Sequence, residues 1–140
     1  MLPEQIVYRA INGNHELIEL MNEIRGKELD ETPVYTNMLP GDFKLTVDAP
    51  MIRVTYLNDI GVQYADDKEV MTECNVQVDC WTHTVSQMAK ILPVLEKIMN
   101  EIGYERYFAD RFTDKDSSTN ESDQLLMSAR RYTNTSSPIY

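Results

Sequence analysis

Residues 73–82 and the apolar stripe that follows them limit this chain more than any other feature. Cys74, Val76, Val78 and Cys80 alternate with Asn75, Gln77, Asp79 and Trp81. Successive side chains of a strand point to opposite faces, so this pattern predicts one dry face and one polar face bearing a single large aromatic. Thr84 and Gln87 then form a T-x-x-Q capping box. Behind it Val85, Met88, Ile91, Leu92, Leu95, Ile98, Met99 and Ile102 fall on one continuous helical stripe. A strand of this kind feeding a helix of this kind predicts a sheet with helices on one side only. The dry face needs a cover, and the polar face is left for water, a channel or a partner. Gly103 is the expected stop, with Tyr104 folding back as an apolar clasp. An interior proline such as Pro93 costs about 3 kcal/mol, yet the stripe runs across it, which predicts one bent helix rather than two.

The flanking segments extend this plan. Pro3 and Glu4 suit a first helical turn, followed by Ile6, Val7, Ala10 and Ile11 at helical spacing. Asn12-Gly13-Asn14 breaks the pattern, and a second piece carrying Leu17, Ile18, Leu20, Met21 and Ile24 ends near Gly26. Strands are predicted over 34–39, closed by Pro40-Gly41, and over 51–57, where Ile52, Val54 and Tyr56 oppose Arg53 and Thr55. Residues 42–50 read as a loop, and the stretch with Asp59, Gly61, Asp66, Asp67 and Lys68 as a polar connection. After the long helix come strands at 104–109 and 124–132, the latter setting Leu125, Met127 and Ala129 against Ser128, Arg130 and Tyr132. Between them, 110–123 reads as an exposed polar loop whose one large apolar residue is Phe112. The predicted architecture is α+β: a mainly antiparallel sheet of about five strands with helices packed on one face. It forms a single domain over 1–132, with 133–140, ending at Tyr140, as a C-terminal arm.

Catalytic constellations are missing from this pattern. His15 and His83 stand in different elements, and His15-Glu16 has no second histidine four residues on. Cys74 and Cys80 share a strand, roughly 20 Å apart at about 3.3 Å per residue, beyond disulfide reach. They read as small buried residues in a reducing compartment. No G-x-S-x-G occurs, and the glycines at 13, 26, 41, 61 and 103 are single and sit at element ends rather than forming a phosphate loop. Asp66-Asp67 is ordinary turn composition. No catalytic, metal or cofactor site is therefore predicted. A formal net charge of −10 excludes a duplex-wrapping protein, which needs concentrated Lys and Arg. Arg130-Arg131 reads as a partner for an acidic loop rather than for nucleic acid. Trp81 has two readings, a covered edge residue or an anchor for another protein. Met1 is followed at once by Pro3 and Glu4 with no apolar leader segment, and no run approaches 18 apolar residues, so a soluble protein made in a cytoplasm is expected.

From residue 51 onward the order of segments is distinctive. It runs P-M-I-R-V-T-Y, then Tyr64-Ala65-Asp66-Asp67, then N-V-Q-V-D-C-W leading straight into the helix. G-Y-E-R-Y, a polar stretch and L-L-M-S-A-R-R-Y follow. This resembles the tail terminator (tail-completion) proteins of long-tailed phages and prophages of Gram-positive bacteria, over residues 34–132. The resemblance implies a non-enzymatic virion protein that assembles as a homohexameric ring in the host cytoplasm. Such a ring caps the tail tube, stops its polymerisation and offers the surface on which the head connector docks. It implies as partners the tail tube protein, the head-completion or connector protein and the tape measure protein, with DNA passing through the channel without specific binding and no membrane involved. Sheets would face the channel, making Asn75, Gln77 and Asp79 the candidate channel-facing residues. Trp81, Phe112, Arg130 and Tyr140 are the candidate protein contacts. A head-completion ring protein and a small non-viral binding module remain as alternatives.

Overall fold

A computed structural model describes residues 1–37, 48–65 and 68–136, with all side chains in them except those of 62–64, 69, 70 and 136. Two helices come first, α1 (Pro3–Asn12) and α2 (His15–Arg25). The strands β1 (Val34–Thr36), β2 (Met51–Ala65) and β3 (Lys68–Thr82) follow, then helix α3 (Val85–Glu101). β4 (Glu105–Asp114) and β5 (Leu125–Ser136) complete the chain, with a short 3-10 turn at Glu121–Asp123 between them. The five strands form one sheet in the order β1-β2-β3-β5-β4. Only the β1–β2 pairing is parallel. The protein is thus α+β, with a mostly antiparallel sheet.

Local chemistry sets the helix limits. Asn14 caps α2 by accepting the Leu17 N–H at 3.0 Å, and Gly26 ends it at φ 81°, a left-handed conformation that costs a side chain energy. Thr84 Oγ1 accepts the Gln87 N–H of α3. The Gln87 amide reaches one residue further back than a standard box would, taking the N–H of His83. At the other end the Gly103 N–H donates to Asn100 O and the Tyr104 N–H to Met99 O. That pair of bonds, with Gly103 at φ 86°, is a Schellman stop, and Tyr104 is buried as its apolar clasp. α3 runs unbroken across Pro93.

All three helices lie on one face of the sheet. Val7 and Ile11 of α1, Leu17 and Met21 of α2, and Met88, Ile91, Leu95 and Met99 of α3 pack with Ile52, Val54, Val76, Val78, Cys80 and Tyr132. Burying each large apolar side chain contributes about 1.5–3 kcal/mol. The dry face of 73–82 is therefore the helix-covered face, as its alternation predicts.

The opposite face departs from expectation. It was predicted to be wet, but Ala49, Met51, Trp81, Leu125 and Met127 form a second, smaller core there. Register explains it, because Met51, Trp81 and Met127 are direct cross-strand partners on three adjacent strands. Cross-strand neighbours on one face shield each other without a second layer.

Three polar segments read as loop or arm are in fact strand. β2 and β3 extend through 58–65 and 68–72 as a hairpin. β4 runs to Asp114, so the predicted loop 110–123 shrinks to the turn after it. Residues 133–136 of the expected arm pair with Thr72–Asn75 of β3. Main-chain ladders need no apolar side chains, so strands wet on both faces lose the alternation that sequence reading depends on. One irregularity bears on everything beyond it. Tyr56 pairs with Val76 and Asn58 with Asn75, leaving Leu57 as an extra residue in β2. This bulge puts Tyr56 on the helix side and Ile60 on the opposite side. The expected strand end at 38–39, Pro40-Gly41, the loop 42–47, Asp66-Asp67 and the tail 137–140 with Tyr140 lie outside the described residues.

Candidate functional site

The helix-free face carries a line of polar groups held by the central strands. Arg53 and Asp79 are cross-strand partners. Both Nε and Nη2 of Arg53 donate to Asp79 Oδ2, at 3.0 and 2.7 Å. Gln77 Nε2 donates to the other carboxylate oxygen at 2.8 Å. Arg131 Nε continues the line by donating to Gln77 Oε1 at 3.0 Å. Each guanidinium also lies over a ring, Arg53 over Trp81 at 5.3 Å and Arg131 over Phe108 at 4.8 Å from the centroid.

This network corrects two of the three candidate channel-facing residues. Asp79 is 0% exposed and Asn75, whose amide donates to Asn58 Oδ1, is buried. Of the three only Gln77 reaches the surface, half-buried. A carboxylate that accepts three donors is desolvated at little penalty, so polarity on an alternating strand did not mean exposure here. Trp81 is corrected in the same way. It is 1% exposed, and its indole N–H donates to Asp114 Oδ2 at 2.8 Å. It is the covered edge residue of the two readings, not a surface anchor.

On the helix face a second cluster joins three elements. Glu96 of α3 receives Arg130 Nη1 and the Tyr132 hydroxyl from β5, the latter at 3.2 Å, and Arg106 Nε from β4 at 3.3 Å. Burial above all pushes the Tyr132 hydroxyl up to about 12; the Glu96 carboxylate adds to the rise and Arg130 opposes it. Arg130 therefore pairs with a helix rather than with the acidic loop expected from sequence. Cys80, fully enclosed beneath this layer, has its thiol raised to about 12 by burial and then by Asp79. A thiol so disposed is inert as a nucleophile. Both cysteines are free and buried. Among the described residues no group of three or more His, Cys, Asp and Glu could hold a metal ion. No helix is long and apolar enough to cross a membrane.

The surface that stands out is the terminal strand. β4 is ten residues long, and only its last, Asp114, is buried. Tyr107, Phe108 and Phe112 are exposed along it, Phe112 at 44%. Phe112 was singled out from sequence; Tyr107 and Phe108 were read as ordinary strand residues, although three aromatics within six positions of an otherwise polar segment were a usable signal. Because α3 stops short of this edge, a groove of about 820 Å³ opens between them. Val85, Met88, Leu92 and Leu126 contribute its apolar lining, and Arg106, Arg111 and Arg130 its charge. Val85, on the first turn of α3, is 61% exposed. A long flat edge strand bearing aromatics beside an apolar groove is a template for association, the kind of edge that monomeric proteins blunt with charge, proline or bulges. No family model matches the chain, and no curated protein matches it in sequence.

Proposed function

We propose that this chain is a structural subunit of a tailed-phage particle, a tail terminator. It assembles as a homohexameric ring in the host cytoplasm, ends up in the virion between tail tube and head, and has no enzymatic role. The observation that carries the reading is β4, a ten-residue edge strand exposed on both faces with Tyr107, Phe108 and Phe112 open to solvent. Such an edge serves assembly, and a ring uses it in every subunit. The segment order that resembles terminators supplies the particular particle.

In this reading the helices lie outside and the helix-free face turns to the channel, presenting Gln77, Asp110 and Arg131 at its surface. DNA passes without specific binding because the chain's net charge repels phosphate. The tube protein binds one rim and the head connector the other, with the tape measure protein ending below. Native mass spectrometry and negative-stain imaging test this directly. A closed ring of six that halts growth of purified tail tubes is the expected result. A monomer at all concentrations refutes it, and a ring that binds the portal complex but never the tube assigns the protein to the head side instead.

A further inference from the structure

Large apolar side chains exposed among the described residues are not scattered. Apart from Met1 and Leu2 at the terminus they fall in two places: Val85, Tyr107, Phe108 and Phe112 on the β4 side, and Tyr56 and Ile60 on β2. These places lie at opposite ends of the sheet, one on its last strand and one on the strand next to β1. Ile60 is 47% exposed at the root of the β2–β3 hairpin. Beyond that root the hairpin leaves the body of the sheet. β5 pairs with β3 only from Thr72 onward, so of the described strands only β2 pairs with Lys68–Met71. A two-stranded ribbon on its own is marginal in water and gains its stability by lying on something.

Charge tells the two places apart. Around the hairpin the sequence has Asp59, Asp66, Asp67, Glu69 and Glu73 against Lys68 alone. The groove beside β4 has Arg106, Arg111 and Arg130 against Asp110. Two copies of the β4 side would bring like charges together, whereas hairpin against β4 brings opposite ones. Strand direction also agrees. β4 is antiparallel to β5, β5 to β3 and β3 to β2. A neighbour repeating the sheet in the same sense therefore sets its β2 antiparallel to this β4. The faces match as well, because β4 residues Phe108 and Phe112 share the helix-free side with Ile60, whereas Tyr56 is turned to the helix side, where the groove lies.

From this we infer that the β2–β3 hairpin of one copy docks along the β4 edge of the next, Ile60 packing on Phe108 and Phe112 and Tyr56 reaching the groove by Arg111. The occupant is a second copy of this chain, and the contact is head-to-tail, the kind that closes rings rather than pairs. The inference rests on the ring reading and names its interface.

Cysteine cross-linking of the full chain tests it, because native Cys74 and Cys80 are buried. Ile60→Cys and Phe112→Cys are made singly, mixed, and treated with a short bis-maleimide, alongside native mass spectrometry. The mixture is expected to give a covalent dimer at about tenfold or more the yield of either variant alone, since docked thiols see a far higher effective concentration. The double variant should give a ladder that stops at the ring size. Equal cross-linking by Phe112→Cys alone means a symmetric β4 contact and overturns the proposal. A ring by native mass with no cross-link overturns the interface while leaving the ring standing. A persistent monomer overturns both.

Discussion

The Arg53–Asp79 pair makes an asymmetric prediction. Asp79 has no exposed surface, whereas the Arg53 side chain is 26% exposed. Removing Arg53's charge strands an ionised group inside the sheet with only the Gln77 amide as donor. Removing Asp79 leaves a guanidinium that can swing into water. Breaking a buried pair from the side that leaves the enclosed charge costs about 3–5 kcal/mol, so Arg53→Met, which keeps the stem over Trp81, should cost about 3 kcal/mol, roughly 10 °C in Tm at this chain length. Asp79→Ala should cost about 1–2 kcal/mol, and the double variant less than Arg53→Met alone. Urea unfolding followed by the fluorescence of Trp81, the only tryptophan, measures all three under one condition. Asp79→Ala costing as much as Arg53→Met, or a double variant worse than both, would refute the argument that the enclosed carboxylate dominates.

Other expectations are quickly checked. Cys80 rises from 9.0, and Tyr104 and Tyr132 from 10.0, each to about 12, with burial the main cause. All three hold their protons more tightly folded than unfolded, so their contribution is complete below pH 9 and drains away between pH 9 and 12. Unfolding midpoints measured across that window should fall steadily, and a flat profile would contradict the burial. Trp81→Phe deletes the indole donor to Asp114 and should lower stability by about 2 kcal/mol in denaturant titration. Thr84→Ala removes the α3 cap and should cost about 1 kcal/mol, while Thr84→Ser should restore most of it.

What could be read from sequence followed the strength of each local signal. The capping residues Asn14 and Thr84, the stops at Gly26 and Gly103 and the dry face of Val76, Val78 and Cys80 were legible because each rests on short-range chemistry. Asp79 and Trp81 were misplaced because burial on the open face depends on partners 26 and 33 residues away, Arg53 and Asp114. Nothing in an alternating pattern announces that a polar residue will meet a guanidinium across the ladder. The β4 edge was half visible. Phe112 was marked, but the strand around it was hidden because residues exposed on both faces show no period. Arg130 was assigned to the right kind of bond and the wrong element, since Glu96 lies 34 positions back on α3.

Leu57 has a consequence out of proportion to its size. As the supernumerary residue of β2 it works as a parity switch: substituting it changes one side chain, but deleting it would exchange inside and outside for the whole distal ribbon. Ile60 would turn under the helical layer, and Asp59 would take its place outward. Length at this position is therefore more tightly fixed than identity, and a single lost codon there would do more harm than most exchanges of one amino acid for another.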